Sequence, residues 1–247
     1  MPKLKWFLIL IVQFLFALQA YAGPQASVVE VKDAHVIQSV DSLDEVGGRV
    51  LIVQYDQGSE EKIWAGTTHG GLWSSVNTGQ TWTLASGLMK NMAVGAIAFD
   101  PLNDAIIYAG TGEGRSNNSA LRGHGIFKSI DGGVSWSLLP LTDPAQVGDS
   151  WAHINAIAIS AAGVILAATS DDKYNGFIYR STDGGQTWGI VPVYIGSKVG
   201  PHNIIYKVRF DPDHPDTALF MDGYANVTHS TDGGITWSLA RKGKTCP

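Results

Sequence analysis

From residue 49 onward, apolar and polar positions alternate in short runs, broken by turns rich in glycine, aspartate and proline. This is the period of half-buried strands, not of helices. Val94 to Phe99 alternates as a strand, Asp100-Pro101-Leu102-Asn103-Asp104 turns it, and Ile106 to Gly110 runs back. Gly125 to Lys128 and Ser135 to Leu139 complete a four-stranded unit. The other units read alike. The first spans Arg49 to Gln54, Lys62 to Gly66, Gly71 to Ser74 and Thr81 to Ala85. The third spans His153 to Ile159, Val164 to Thr169, Gly176 to Arg180 and Thr187 to Val193. The fourth spans Ile204 to Phe210, Thr217 to Met221, Val227 to His229 and Trp237 to Ala240.

One octapeptide punctuates every unit, before its last strand. The copies are Ser75-Val76-Asn77-Thr78-Gly79-Gln80-Thr81-Trp82, Ser129 to Trp136, Ser181 to Trp188 and Ser230 to Trp237, beginning 54, 52 and 49 residues apart. A four-stranded unit recurring at such a period is a propeller blade. The chain is therefore expected to be all-β, with blades at about 49–86, 93–140, 153–193 and 204–241. Within the octapeptide, the carboxylates of Asp131, Asp183 and Asp232, or the amide of Asn77, can accept bonds from backbone N–H groups of the turn. Trp82, Trp136, Trp188 and Trp237 are apolar plates suited to packing between sheets. One carboxylate per turn is too few oxygens for calcium, so no metal is expected, and no nucleotide or other cofactor signature is present.

The ends change the picture in one respect. Lys3 and Lys5, an apolar stretch from Trp6 to Leu18 and the small-residue site Ala20-Tyr21-Ala22 form an export leader over 1–22, leaving no membrane segment after cleavage. Residues 23–48 form an N-terminal segment, of which Ala26 to Ile37 could add a closing strand, and 242–247 form a tail. The single cysteine, Cys246, excludes an internal disulfide, which suits a secreted or cell-envelope bacterial protein. The formal charge of −5, more negative without the two leader lysines, argues against nucleic acid as a partner.

The octapeptide resembles the Asp-box, and the chain is similar over nearly its whole mature length to the BNR/Asp-box propellers. These include sialidases, xyloglucan-degrading glycosidases, sortilin-like receptors and photosystem assembly factors. Gly47-Gly48-Arg49-Val50, Ile63 to Ser74, Tyr108 to Gly114 and Arg122 to Ser129 further resemble secreted bacterial propellers of this group. The resemblance implies that the box is structural and lies away from any active site. It also implies six or more blades and often a C-terminal module, so further blades or a domain beyond these four are expected.

Function is then sought on the opposite face, where the second-to-third strand loops and the blade connections gather. The loop from Gly110 to Gly125 carries Glu113, Arg115, Asn117, Asn118, Arg122 and His124. The connections add Asp149, Trp151, His153 and His202. Asp222 and Tyr224 come from the fourth blade, and Arg49 starts an inner strand. Glu113 with Asp149 or Asp222 could form the carboxylate pair of a glycosidase. Arg49, Glu113, Arg115, Arg122, His124, Trp151, His153, His202 and Tyr224 are the candidate ligand contacts. The arginine triad of sialidases is missing, as is any Ser/His/Asp set. The expected function is an exported non-catalytic propeller that binds a glycan or a protein on this face. The alternatives are a glycoside hydrolase of the sialidase or xyloglucanase type, or an assembly factor or receptor.

Overall fold

The computed structural model describes residues 48–85, 89, 92–114, 120–192, 194–195, 198–199 and 202–241. The expected leader, most of the N-terminal segment, Arg115 and the C-terminal tail lie outside the described residues.

Four antiparallel four-stranded meanders follow one another along the chain. Blade one is β1 (Val50–Tyr55), β2 (Ile63–Thr67), β3 (Leu72–Ser75) and β4 (Thr83–Leu84). Blade two is β5 (Val94–Asp100), β6 (Asn103–Thr111), β7 (Ile126–Ser129) and β8 (Ser137–Leu138). A one-turn helix, α1 (Pro144–Val147), capped by the Asp143 side chain, bridges to blade three. Blade three is β9 (His153–Ile159), β10 (Ile165–Ser170), β11 (Asn175–Ser181) and β12 (Gly189–Ile190). The following connection holds a small hairpin, β13 (Tyr194–Ile195) and β14 (Lys198–Val199), then β15 (His202–Asn203), which pairs with β11. Blade four is β16 (Ile205–Phe210), β17 (Ala218–Asp222), β18 (Val227–Ser230) and β19 (Ser238–Arg241). The molecule is a β-propeller. Three fourth strands are only two residues long, because each box turn runs almost directly into the next connection.

Among the described residues three of the four buried clusters lie between blades, and the fourth, Ile63, Ala65, Trp73 and Trp82, lies on blade one. Trp64 and Leu72 of blade one and Met89 of the connection pack on Ile97, Phe99, Phe127 and Trp136 of blade two. Ala96, Ala98, Tyr108, Ile126 and Leu139 meet Ile154, Ile157, Ile165 and Trp151. Leu166, Ala168 and Ile178 meet Val208, Phe220 and Trp237. Each box tryptophan faces backward onto the preceding blade or its own sheet, as in the edge-on Trp64–Trp136 pair at 6.0 Å.

The box turns explain why the octapeptide repeats. In the second copy Ser129 Oγ donates to Asp131 at 2.8 Å and accepts from Gly133 N at 2.8 Å. Asp131 accepts from the Ser135 amide (2.9 Å) and hydroxyl (2.5 Å), and Trp136 Nε1 donates to Gly133 O (3.0 Å). The third and fourth copies repeat this set. In the first, the Asn77 amide reverses one bond and donates to Thr81 Oγ1 at 2.8 Å.

The fifth residue of the box does two things at once. Gly133, at φ +90°, lies so close to Trp64 of blade one that a Cβ would stand 2.1 Å from its ring. Cations of the preceding blade then cap the turn. Lys62 Nζ donates to Gly132 O, Lys128 Nζ to Gly184 O and Arg180 Nε to Gly233 O, at 2.9, 3.0 and 2.8 Å. The box is thus a joint between blades as well as a turn within one.

Candidate functional site

All four inner strands carry a β-bulge at the same register. The pairings skip Leu51 in β1, Gly95 in β5, Asn155 in β9 and Tyr206 in β16. A bulge adds one unpaired residue to one strand, shifts the pairing register by that residue and re-aims its side chain. Here all four bulge residues turn to one place. They line a cavity of about 470 Å³ at the mouth of the central channel, together with Glu113, Gly114, Ile154 and Lys207. Below it the channel continues between the four inner strands, past Gln54, Gln57, Asn155, Lys207 and Arg209.

Glu113 is the buried carboxylate of this mouth, only 4% exposed. Arg49 Nη2, from the start of blade one, donates to Glu113 Oε1. A carboxylate taken out of water needs such a partner. Its backbone is fixed too, with Glu113 N donating to Leu121 O at 2.8 Å across the loop. Gly114 then passes directly over Asn155, and a Cβ at Gly114 would fall 1.3 Å from Asn155 Oδ1. Asn155 Nδ2 is held by Ser170 Oγ (3.2 Å), while its Oδ1 is buried without a hydrogen-bond partner.

The loop bearing Glu113 is an insertion into a shorter turn. In blade one Thr67 N donates to Gly71 O and Gly70 N donates to Thr67 Oγ1. In blade two Thr111 N donates to Gly125 O and His124 N donates to Thr111 Oγ1. The same threonine–glycine closure therefore seals both loops. The longer one is further sewn to the next connection through Gly123 N to Ala152 O at 2.7 Å.

The remaining predicted residues fall into other settings. Arg122 bonds Asp149 and Asp172, and His153 Nε2 lies 3.0 Å from Asp172 Oδ1. The Arg122 bond and its charge hold the Asp149 carboxyl below the usual range. This network straps the blade-two loop to blade three, so Glu113 and Asp149 sit in separate ion pairs. Asp222 is buried in a turn, where it accepts from the amides of Tyr224 and Asn226 and from Asn226 Nδ2. Asp171 does the same in blade three with Lys173 and Asn175. Trp151 is core, stacked on Tyr179 at 4.3 Å. His124 and Tyr224 are exposed and do not line the cavity. His202 lies on β15. Among the described residues no cluster of His, Cys, Asp and Glu could hold a metal ion.

Sequence reasoning missed Asn155, Tyr206 and Lys207. One signal was available, since Tyr206-Lys207 places two outward residues in succession where strict alternation allows one.

No protein-family model matches the chain. It is 27% identical over 222 residues to a xyloglucanase of Hypocrea jecorina (strain QM6a), covering 75% of this chain and 24% of that protein. It is 28% identical over 199 residues to a xyloglucanase of a Paenibacillus species, covering 69% of this chain and 17% of that protein. The crystal structure of an ancestral GH74 enzyme superposes with a TM-score of 0.59 at 25% identity, covering 77% of this chain and 24% of that one. The chain thus spans about a quarter of the length of the first of these relatives. These likenesses favour the glycoside hydrolase alternative over the non-catalytic scaffold expected from sequence. Among the described residues no helix is long and apolar enough to cross a membrane.

Proposed function

We propose that this chain is an exported Asp-box propeller of the glycoside hydrolase type, and that its bulge-lined mouth receives a polysaccharide. The observation that carries this reading is a mouth cavity with one buried, arginine-paired carboxylate, in a chain whose relatives are xyloglucanases. Tyr206 offers a ring face to a sugar, and Asn155 and Glu113 offer amide and carboxylate groups to hydroxyls. Glu113 is the group that would act as acid, base or nucleophile. Glycoside hydrolysis takes a second carboxylate about 5–9.5 Å away. Among the residues described at this mouth Glu113 is the carboxylate present, so the second is supplied from outside that set.

Purified chain mixed with xyloglucan oligosaccharides tests this directly. Binding that is weakened at least tenfold by Glu113→Gln, with or without release of reducing ends, supports the reading. An affinity for xyloglucan and other glycans that is undetectable at millimolar concentration sinks it. Turnover abolished by Glu113→Gln assigns the hydrolase. Binding without turnover assigns the recognition half of such an enzyme. Mass spectrometry of the exported protein should find Gly23 at its N-terminus.

A further inference from the structure

Arg49 and Glu113 meet from different blades, and the backbone of each is anchored before the side chains touch. Arg49 precedes β1 and is pinned on both sides by the buried Thr68. Arg49 N donates to Thr68 Oγ1 at 3.0 Å, and Thr68 N donates to Arg49 O at 2.9 Å. On the other side Gly112 N donates to Ala93 O at 2.8 Å, which ties the residue before Glu113 to the start of blade two. Gly112, at φ +96°, also packs on the connection to blade three, where a Cβ would stand 2.6 Å from Ala152 O. All of these contacts lie within or between neighbouring blades of the described arc.

The two side chains are buried unequally, 4% exposed for Glu113 and 55% for Arg49. The guanidinium keeps much of its hydration, while the carboxylate has given up its own. A buried carboxylate stripped of its counter-ion is strongly disfavoured. A guanidinium is always charged and only donates, so Glu113 is the acceptor of the pair. An ionised carboxylate has acceptor sites alone, about four of them, and no proton to give. One Nη2 bond does not exhaust those sites.

We propose that Arg49 is a positioning residue, which keeps Glu113 ionised and fixed at the mouth as an acceptor for sugar hydroxyls or water. The proposal rests on the glycan reading above and narrows it. Of the roles open to a hydrolase carboxyl, Glu113 then takes one that belongs to the ionised form, base or nucleophile. The acid that protonates the leaving oxygen is another group. Arg49 acts through Glu113 and does not itself grip the ligand.

Thermal melts and calorimetric titration with a xyloglucan oligosaccharide decide it. The proteins are the wild type, Arg49→Met, Arg49→Lys, Glu113→Gln and the double variant Arg49→Met with Glu113→Gln. At pH 7 Arg49→Met should lower Tm, and adding Glu113→Gln should restore most of that loss, because the uncompensated buried charge is then gone. Arg49→Met should weaken binding about tenfold, and Arg49→Lys, which keeps the charge, should weaken it less. The double variant should bind no more weakly than Glu113→Gln alone, as expected of two residues acting as a unit. An Arg49→Met protein with unchanged Tm and affinity shows an idle pair. A Tm loss that Glu113→Gln deepens shows that Glu113 is not the charge Arg49 compensates. A double variant whose affinity falls by the product of the single effects shows Arg49 gripping the sugar directly. Each of these three results overturns the proposal and leaves the glycan reading standing. Failure of every protein to bind overturns both.

Discussion

The box carboxylates show how one residue's bonding becomes a property of the fold. Asp131 is held at about 2 by the hydroxyl and amide of Ser135 and the hydroxyl of Ser129. Burial pushes Asp232 up, but the bonds from Thr236 and Ser230 outweigh it and leave it at about 2. Asp183 is lowered further by Thr187 and Ser181. An unfolded aspartate titrates near 3.9, so between about pH 4 and pH 2 the unfolded chain binds more protons than the folded one. By linkage, the stability these groups contribute is present above pH 4 and lost as pH falls through that window. Thermal melts should show Tm dropping steeply from pH 4 to pH 2. The triple variant Asp131→Asn, Asp183→Asn, Asp232→Asn should show a shallower drop. Asn77 shows that an amide can hold the turn at neutral pH, so a collapse of that variant at pH 7 would refute the assignment. Gly114 makes a second test at this scale. Alanine there must displace Asn155 or lift the loop, so Gly114→Ala should cost about 1–3 kcal/mol in chemical denaturation and weaken glycan binding.

At the scale of elements, the loop between β6 and β7 is secured at its base, by the Thr111–Gly125 closure, and along its return limb, by Arg122. The partners of Arg122 are largely exposed, 69% for Asp149 and 50% for Asp172. Exposed pairs contribute little to global stability, about 0–1 kcal/mol. Arg122→Ala should therefore leave Tm nearly unchanged while quickening proteolytic cleavage within residues 112–125, as followed by mass spectrometry. A Tm loss of many degrees would show instead that the strap is a core feature. Strands and boxes were legible in sequence because alternation and turn chemistry are local. Of the bulges only the one at Tyr206 left a trace in the sequence, since a bulge is otherwise seen only when two strands are placed in register. Trp151 and Asp222 looked like site residues because a loop tryptophan and a loop aspartate are chemically apt. Stacking on Tyr179 is a tertiary fact that composition does not carry, whereas the Asp222–Asn226 turn is local and repeats Asp171–Asn175 at the same four-residue spacing.

Among the described residues, three buried clusters, each spanning two neighbouring sheets, join the blades into one molecule. Leu166 is fully buried where blade three meets blade four, beside Phe220 and Trp237. Leu166→Ala should cost about 2–5 kcal/mol, read as a lowered denaturant midpoint. In nearest-neighbour assemblies damage spreads from the weakened interface. Hydrogen exchange should then quicken first in β9–β12 and β16–β19, and uniform quickening would argue for a single cooperative unit. The box cations reinforce the same joints, which is why Lys62, Lys128 and Arg180 reach forward into the next turn and not outward to water.

The four bulges separate two selective pressures that most binding sites must satisfy together. Because each extra residue stands outside the ladder, its identity is free of the pairing that builds the sheet. Leu51, Gly95, Asn155 and Tyr206 already differ in size, polarity and aromaticity around one rim. Substitution at Leu51 or Tyr206 can therefore redirect ligand preference while the blades stay as they are, so this scaffold can diverge in specificity by changing its rim one position at a time.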